Sequence, residues 1–473
     1  MLKLGNILEA LTGQRADAHA QPITDASTDS RHIIPGALFI AIKGSQTNGH
    51  DFVEEAFARG AIAALIERPV GNGLNYLDLR HPASSLEIEN LELPICLHVE
   101  NTITALQIIA EFWREQLDIR VVGITGSVGK STTKEVAAEV LSTKFRTIKN
   151  PGNLNNEIGL PMSLLRLTEE HERAILEMGF YVPGEIALLS KIAKPQVGMI
   201  TNISHVHMER AGSLEAIVQG KGELVESLPP APEGVAILNY DEPLVREMAS
   251  RTQARIFNYG LSPQADLWAS EIEGLGLKGV RFVIHYQGDV LHIKVPLLGR
   301  HSVHTALRAA ALGLVEGLSW GEIVRGLQTS NTQLRLVAVQ GPGGALMLDD
   351  TYNAAPSSVI AGLNLLAELD GRRIAVLGDM LELGEFEERG HRMVGVRAAA
   401  VADELVTVGK RARWIAEEAI LSGLAKSKVT ELDDKDKAIK YLLDLIGKGD
   451  VVLIKGSRSM EMDRIVAALE VEG

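Results

Sequence analysis

The stretch Val122-Gly-Ile-Thr-Gly-Ser-Val-Gly-Lys-Ser-Thr132 runs from a β-branched strand through a turn with two glycines into a helix that starts at Thr132–Glu135. Gly126 and Gly129 let backbone amides curl round an anion without a Cβ in the way. Lys130 is placed to reach β- and γ-phosphates and the Ser131 hydroxyl to meet Mg²⁺, while the helix N-terminus adds its dipole. The widespread form of this loop has a glycine where this chain has Ile124. The cradle here is therefore Thr125, Gly126, Ser127, Val128, Gly129, Lys130, Ser131 and Thr132. An ordinary Gly-rich strand-to-helix turn shares some of these features. Strand, paired glycines, Gly-Lys-Ser and helix together favour a nucleotide site. A switch GTPase, a motor and a ligase could all carry such a loop.

Short runs rich in Val, Ile or Leu recur around it: Ile119–Ile124, Arg173–Met178, Val197–Asn202, Met347–Asp350, Arg373–Leu377 and Val451–Ile454. Helical periodicity separates them, as in buried parallel strands joined by helices, so the fold class is α/β. With 473 residues, the chain has room for about three domains at ~150 residues each. A polar, acidic, weakly periodic segment, Ser84–Leu97, precedes a predicted helix Thr102–Gln116, which places one boundary near residue 100. A polar break at Thr329–Gln333 follows a predicted helix Trp320–Leu327 and places the second. The segments are 1–100, 101–330 and 331–473. Within the middle one, Phe257–Pro296 alternates apolar and polar residues and is expected to form a half-exposed antiparallel sheet.

Composition removes several classes of function. Lys plus Arg is 47 against 61 Asp plus Glu, a net charge of −14, which argues against polymeric nucleic acid as a partner. With 9 Phe, 7 Tyr and 4 Trp there is little to build a base-stacking platform. The lone cysteine, Cys96, excludes an internal disulfide and points to a cytosolic location. No membrane span is expected, because the longest apolar candidate, Ala306–Leu318, is interrupted by Arg308 and Glu316. The N-terminal Leu2, Leu4, Ile7, Leu8 and Leu11 read as a short amphipathic helix rather than a signal core.

Further polar residues cluster after predicted strands. Lys149-Asn-Pro-Gly-Asn-Leu-Asn-Asn-Glu-Ile-Gly-Leu-Pro161 holds four asparagines in seven positions. A turn accounts for Asn150–Asn153, whereas Asn155 and Asn156 can donate to and accept from a polar ligand. Glu177 ends its strand where open parallel sheets place ligand groups, and a carboxylate there suits Mg²⁺. In Ile200-Thr-Asn-Ile-Ser-His-Val-His-Met-Glu-Arg-Ala-Gly-Ser213 the two histidines alternate, so only one need face a site, and a lone histidine is commonly structural. Lys221 by itself reads as a solvated helix lysine. No Asn-Lys-x-Asp tetrapeptide occurs, which weakens a GTPase reading.

Taken together the motifs resemble the Mur ligases, the ATP-dependent amide-bond-forming enzymes of peptidoglycan synthesis, and the likeness runs through all three segments. Asn153–Pro161, Asp349-Asp-Thr-Tyr-Asn-Ala-Ala-Pro356 and Val376-Leu-Gly-Asp-Met-Leu-Glu-Leu-Gly384 are similar to the branch that adds D-alanyl-D-alanine to UDP-N-acetylmuramoyl-tripeptide. The resemblance implies an N-terminal UDP-substrate domain, a central P-loop ATPase domain and a C-terminal Rossmann-like domain, acting as a monomer. It implies ATP and Mg²⁺ as cofactors, with Ser131, Glu177 and His207 as metal ligands. Lys221 matches a lysine that is carbamylated in many family members, which would make it a further anionic metal ligand. Lys130, Glu177, His207 and Lys221 are then the catalytic set.

By the same resemblance, Ser27–Gly44 is the uridine-nucleotide segment, with Ser30 and Arg31 as contacts and Asn48 following where an Asp is usual. His301 belongs to Gly299-Arg-His-Ser-Val-His-Thr-Ala306, a segment that elsewhere carries Asn at the positions of Ser302 and Thr305 and contacts the adenine. Arg335 fits an interdomain arginine that approaches ATP, and Asp350 should reach the nucleotide from the third segment. Asn353 is the remaining amide in a loop where Ala355 replaces an Asn. Lys455-Gly-Ser-Arg-Ser-Met460 should face the same cleft. The implied reaction passes through an acyl phosphate. A folylpolyglutamate-synthase-like ligase and a P-loop ATPase switch are the rival readings. With a net charge of −14, attraction for anionic substrates must be local, at Arg31, Lys130, Arg335 and the metals.

Overall fold

The computed structural model describes residues 1–44, 47–71, 73–80, 91–206, 208–329 and 337–471. Three sheets organise them. The first is parallel, with spatial order Ala26–Ser27, Leu38–Ile40, Ala63–Ile66, Ile95–His98, Asn75–Asp78. Ile95–His98 is buried throughout and pairs with a strand on either side. This corrects the reading of Ser84–Leu97 as an uninterrupted polar break, although residues 81–90 lie outside the described residues. A four-residue strand buried on both faces is too short to reveal a period.

The second sheet has nine strands and surrounds the phosphate loop. Arg120–Thr125 lies between Val197–Ile200 and Arg173–Glu177, with all three parallel. Thr147–Lys149 closes one edge; Val235–Asn239 and Arg255–Gly260 extend the other in parallel. The antiparallel part begins only at Leu267–Gly274 and continues through Val280–Tyr286 and Asp289–Val295. Arg255–Gly260, which contains Phe257, runs parallel to both neighbours. The expected antiparallel sheet is therefore an extension of the parallel one and starts ten residues later than Phe257, at Leu267. Burial of Phe257 and Tyr259 beneath a helix, rather than local alternation, decides this.

The third sheet runs Val337–Gln340, Leu346–Asp349, Asp450–Lys455, Arg372–Gly378, Glu404–Val408, Val429–Leu432, antiparallel only at its first pair. The predicted strands around 119, 173, 197, 347, 373 and 451 are all present, with ends shifted by at most two residues. Parallel strands launch their following loops from one end, so the loops after Thr125, Glu177, Ile200 and Asn239 converge.

Helix Thr102–Glu115 couples the first two sheets. Its face of Ala105, Leu106, Ile109, Ala110 and Trp113 belongs to one continuous core with both. Trp113 Nε1 donates to Leu167 O at 3.0 Å, and the buried Arg114 donates to Ala193 O, Leu117 O and Ile119 O at 2.9–3.1 Å. Full burial of one such Leu or Ile contributes roughly 2 kcal/mol. Helix Lys130–Ser142 packs on Val303–Val315 and Trp320–Thr329. Just past Val303–Val315, Glu316 is buried and accepts from Arg120 Nε at 2.7 Å and Arg173 Nε at 2.5 Å. Among the described residues, no helix is long and apolar enough to cross a membrane.

Candidate active site between the second and third sheets

The phosphate loop leaves the sheet with Gly126 at φ 145° and Gly129 at φ 83°, both positive. A Cβ on Gly126 would lie 1.9 Å from Thr201 Oγ1, so glycine is required there by packing as well as by conformation. Gly129 caps the helix, which begins at Lys130, two residues earlier than expected. Its first-turn amides point into the loop.

The strand ends hold the loop from the side. Asn202 brackets the backbone of one residue: its Oδ1 accepts from Val128 N at 3.0 Å and its Nδ2 donates to Val128 O at 2.8 Å. Thr201 Oγ1 donates to the same carbonyl at 2.7 Å, and Thr125 Oγ1 donates to Met178 O at 3.0 Å. Ser127 Oγ lies between Ser204 N and Ser204 O, at 2.9 and 3.2 Å. Lys130 Nζ donates to Gly126 O at 2.9 Å. The loop is held in shape before any ligand arrives.

Glu177 is 2 % exposed and sits against this loop. Ser131 Oγ donates to its Oε2 at 2.6 Å and Asn155 Nδ2 to its Oε1 at 2.8 Å. Asn150 supports it through the backbone, accepting from Glu177 N at 2.9 Å and donating to Glu177 O at 3.1 Å. Hydroxyl and carboxylate oxygens this close are the donor set that Mg²⁺ prefers, with water and phosphate oxygens completing the shell. Among the described residues no group of three or more His, Cys, Asp or Glu side chains is placed to hold a metal ion.

Lys221 is not the solvated helix lysine its sequence context suggests. It is fully buried, donates to Gly126 O at 3.1 Å and lies 4.5 Å over the Phe180 ring. Burial, and then the neighbouring Lys130 charge, push its ammonium well below the ordinary lysine range.

A cleft of about 990 Å³ joins this wall to the third sheet. On the far wall Asp350 pairs with Lys455 at 2.8 Å, and Lys455 Nζ also donates to Asn353 O at 2.8 Å. The Arg458 guanidinium lies 5.3 Å from the Tyr352 ring centroid. His301 and His304 line the cleft on the central side. Burial, then the Arg308 charge, lower the pKa of each to about 4, so both imidazoles are neutral near pH 7.

Of the residues singled out from sequence, Ser127–Thr132, Asn155, Glu177, His301, Asp350 and Asn353 all line this cleft. Asn156 does not; its Oδ1 accepts from Gly159 N at 2.9 Å at the start of a short helix. Ser30, Arg31 and Asn48 lie apart, in short 3-10 turns beside the first sheet. Ser30 Oγ donates to Glu55 Oε2 at 3.1 Å, and exposed Arg31 forks onto Asp29 with Nε–Oδ1 and Nη2–Oδ2 distances of 2.9 and 2.7 Å. Asn48 Oδ1 accepts from His50 N at 3.2 Å. His207 and Arg335 lie outside the described residues. Sequence reasoning passed over Asn202, Arg308 and Lys134, whose buried Nζ donates to Asn150 O at 2.8 Å and so holds the asparagine loop. Only the spacing of Lys134, one helical turn after Lys130, could have drawn attention to it.

A glycine-rich strand-to-helix loop on one wall and a strand-end loop of a second α/β sheet on the other, with Lys455 and Arg458, define a protein of the P-loop class. Residues 124–313 match the Mur ligase middle domain, 334–458 the Mur ligase glutamate ligase domain and 22–91 the Mur ligase family catalytic domain. The chain belongs to the Mur ligase family. It is 36 % identical to the UDP-N-acetylmuramoyl-tripeptide--D-alanyl-D-alanine ligase of Bacillus subtilis, covering 98 % of this chain and 97 % of that one. Its identity to the Escherichia coli enzyme of the same name is also 36 %, covering 99 % and 98 %. The crystal structure of MurF from Acinetobacter baumannii matches with a TM-score of 0.82 at 32 % identity, covering 98 % and 97 %. MurF ligase from Thermotoga maritima in complex with ADP matches at 0.77 and 26 %, covering 97 % of each.

Proposed function

We propose that the chain is an ATP-dependent, ADP-forming ligase. It would join the terminal carboxylate of UDP-N-acetylmuramoyl-tripeptide to the free amine of D-alanyl-D-alanine. The observation that carries this is the shared cleft, where Lys130, Ser131 and Glu177 face Asp350, Lys455 and Arg458 across one volume. Likeness over nearly the whole chain to enzymes named for this reaction supports it. Residues 1–100 would hold the UDP substrate, 101–330 ATP and 331–473 the incoming dipeptide, in a monomer.

The carboxylate oxygen attacks the γ-phosphorus, the bond to the β-phosphate oxygen breaks, and ADP departs. The dipeptide amine then attacks the acyl carbon; phosphate leaves and the amine releases a proton. Attack of one anion on another requires fixed positive charge. Lys130 and the first-turn amides of its helix supply it at the phosphates. Bound Mg²⁺, held by Ser131 and Glu177 with His207, would add Lewis-acid neutralisation of the phosphate oxygens. Asn155 fixes the orientation of the Glu177 carboxylate. Burial lowers the pKa of Lys221 and so favours the free amine that CO₂ needs to form a carbamate, and we assign it that modification. Ser30, Arg31 and Asn48 would take the UDP portion, Arg31 exchanging Asp29 for diphosphate oxygens. Arg335, His301, Asp350 and Asn353 would complete the nucleotide and acceptor contacts, and Asn156 acts through the helix it starts.

The test is ADP release with UDP-N-acetylmuramoyl-tripeptide, with and without D-alanyl-D-alanine, alongside mass spectrometry of the product. Dependence on both substrates with a new amide is expected. Turnover indifferent to the dipeptide would overturn the reading.

A further inference from the structure

Arg308 lies in the second turn of Val303–Val315 and is 5 % exposed. It reaches the cleft beside the phosphate loop: a Cβ built on Gly129 would lie 3.5 Å from its Nη2. Two of its nitrogens are held by neutral groups. Nη1 donates to Thr201 O at 3.3 Å and Nη2 to Thr305 Oγ1 at 2.9 Å. Nε is buried and meets no acceptor, and among the described residues no carboxylate lies within ion-pair distance of the guanidinium. The nearby Asp241 carboxylate is engaged elsewhere, accepting from Leu261 N at 2.7 Å and Ser262 N at 3.2 Å. His304 offers no compensation, being buried and neutral.

A guanidinium cannot shed its proton, so a buried one without an anion carries an uncompensated desolvation cost. Native structures seldom leave such a donor unpaired without a functional reason. The position of this one, against the turn that cradles phosphate, indicates what the missing partner is.

We propose that Arg308 is a nucleotide-binding residue that contacts the phosphate chain of a nucleoside di- or triphosphate, as a second fixed cation opposite Lys130. The neighbouring departures from the family pattern belong to the same arrangement. Ser302 Oγ is directed to Gly299 O at 2.7 Å and Leu297 O at 3.2 Å, and is turned to the helix start. Thr305, the other position that carries Asn elsewhere, uses its hydroxyl to hold Arg308. In this chain the segment is thus organised to present a charge to phosphates as well as contacts to a base.

The inference rests on the nucleotide reading of the cleft, and binding rather than turnover tests it. ADP and adenosine are titrated calorimetrically into wild type and Arg308→Met. ADP affinity should fall tenfold or more in the variant while adenosine affinity stays within twofold, and Arg308→Lys should recover part of the loss. Unchanged ADP affinity, or parallel loss of ADP and adenosine, would overturn the inference. If Arg308→Met does not fold, the wild type decides. With ¹⁵N-arginine labelling, the Arg308 Nε–H signal, assigned by its disappearance in Arg308→Lys, should shift with ADP and not with adenosine. A signal that ADP leaves unmoved would overturn it equally. Failure of wild type to bind ADP at all would remove the nucleotide reading itself, whereas equal ADP binding by wild type and Arg308→Met removes only the role given to Arg308.

Discussion

Helix Val303–Val315 and the residue just past it each bury a charge, and the two charges are treated differently. At the far end Glu316 is closed in by Arg120 and Arg173, one carboxylate oxygen to each, tying the helix to neighbouring strands of the central sheet. On the cleft side Arg308, in the second turn, has neutral oxygens on two nitrogens and nothing on the third. A buried charge with matched partners is part of the scaffold. One with an open valence toward a cleft is part of a site, because the charge still has to be balanced by something that arrives. Arg31, in the turn after the first strand, shows a third arrangement. It is exposed and paired with Asp29, an interaction worth little in water and readily exchanged for a ligand.

This contrast predicts that cleft-side and scaffold-side substitutions separate function from stability. The largest effect should come from Lys130→Ala, which removes the loop cation. Turnover should fall by more than about 10³-fold, at least ~4 kcal/mol in the barrier, with UDP-substrate binding largely retained. Steady-state kinetics and a binding titration check this, and loss of both would remove the separation. Next, Glu316→Ala should leave two arginines facing an uncompensated cavity and destabilise the chain by about 3–5 kcal/mol, as measured by denaturant unfolding. The surviving folded protein should bind ADP normally; weakened ADP binding would show that the scaffold end is coupled to the site.

The third expected effect is a pH dependence that leaves stability near neutral pH unchanged. His301 and His304 have folded-state pKa values of about 4, below the ordinary 6.5. Between those values the unfolded chain binds more protons than the folded one, so stability rises with pH. The contribution is complete above pH 6.5 and lost as pH falls toward 4, at up to ~1.4 kcal/mol per pH unit for each histidine. His304→Gln should flatten the slope of unfolding free energy across this window. An unchanged slope would mean that His304 is already charged or solvated in the folded state.

Much of this was legible along the chain because it is local. The glycines, Lys130 and Ser131 are adjacent in sequence, and their chemistry follows from a strand, a turn and a helix start. Glu177 was readable because parallel strands place their terminal residues together. Lys221 was misread from its own context, since nothing around Gln219-Gly-Lys-Gly-Glu223 signals that its side chain points beneath the phosphate loop. Arg308 looked like an interruption of an apolar helix, and the distant loop it meets is joined to it only by packing. Ile95–His98 was lost in a polar segment because a short strand buried on both faces has no periodic signature.

The sequence by itself determined the α/β class, the phosphate loop and the family resemblance, since these depend on spacing and on residue types that act through neighbours. Tertiary structure alone decided which polar groups are buried, which of those are matched, and which are left open to a cleft. Desolvation depends on everything packed around a side chain, and the residues that surround Lys221, Glu316 and Arg308 come from strands and loops far apart in the chain.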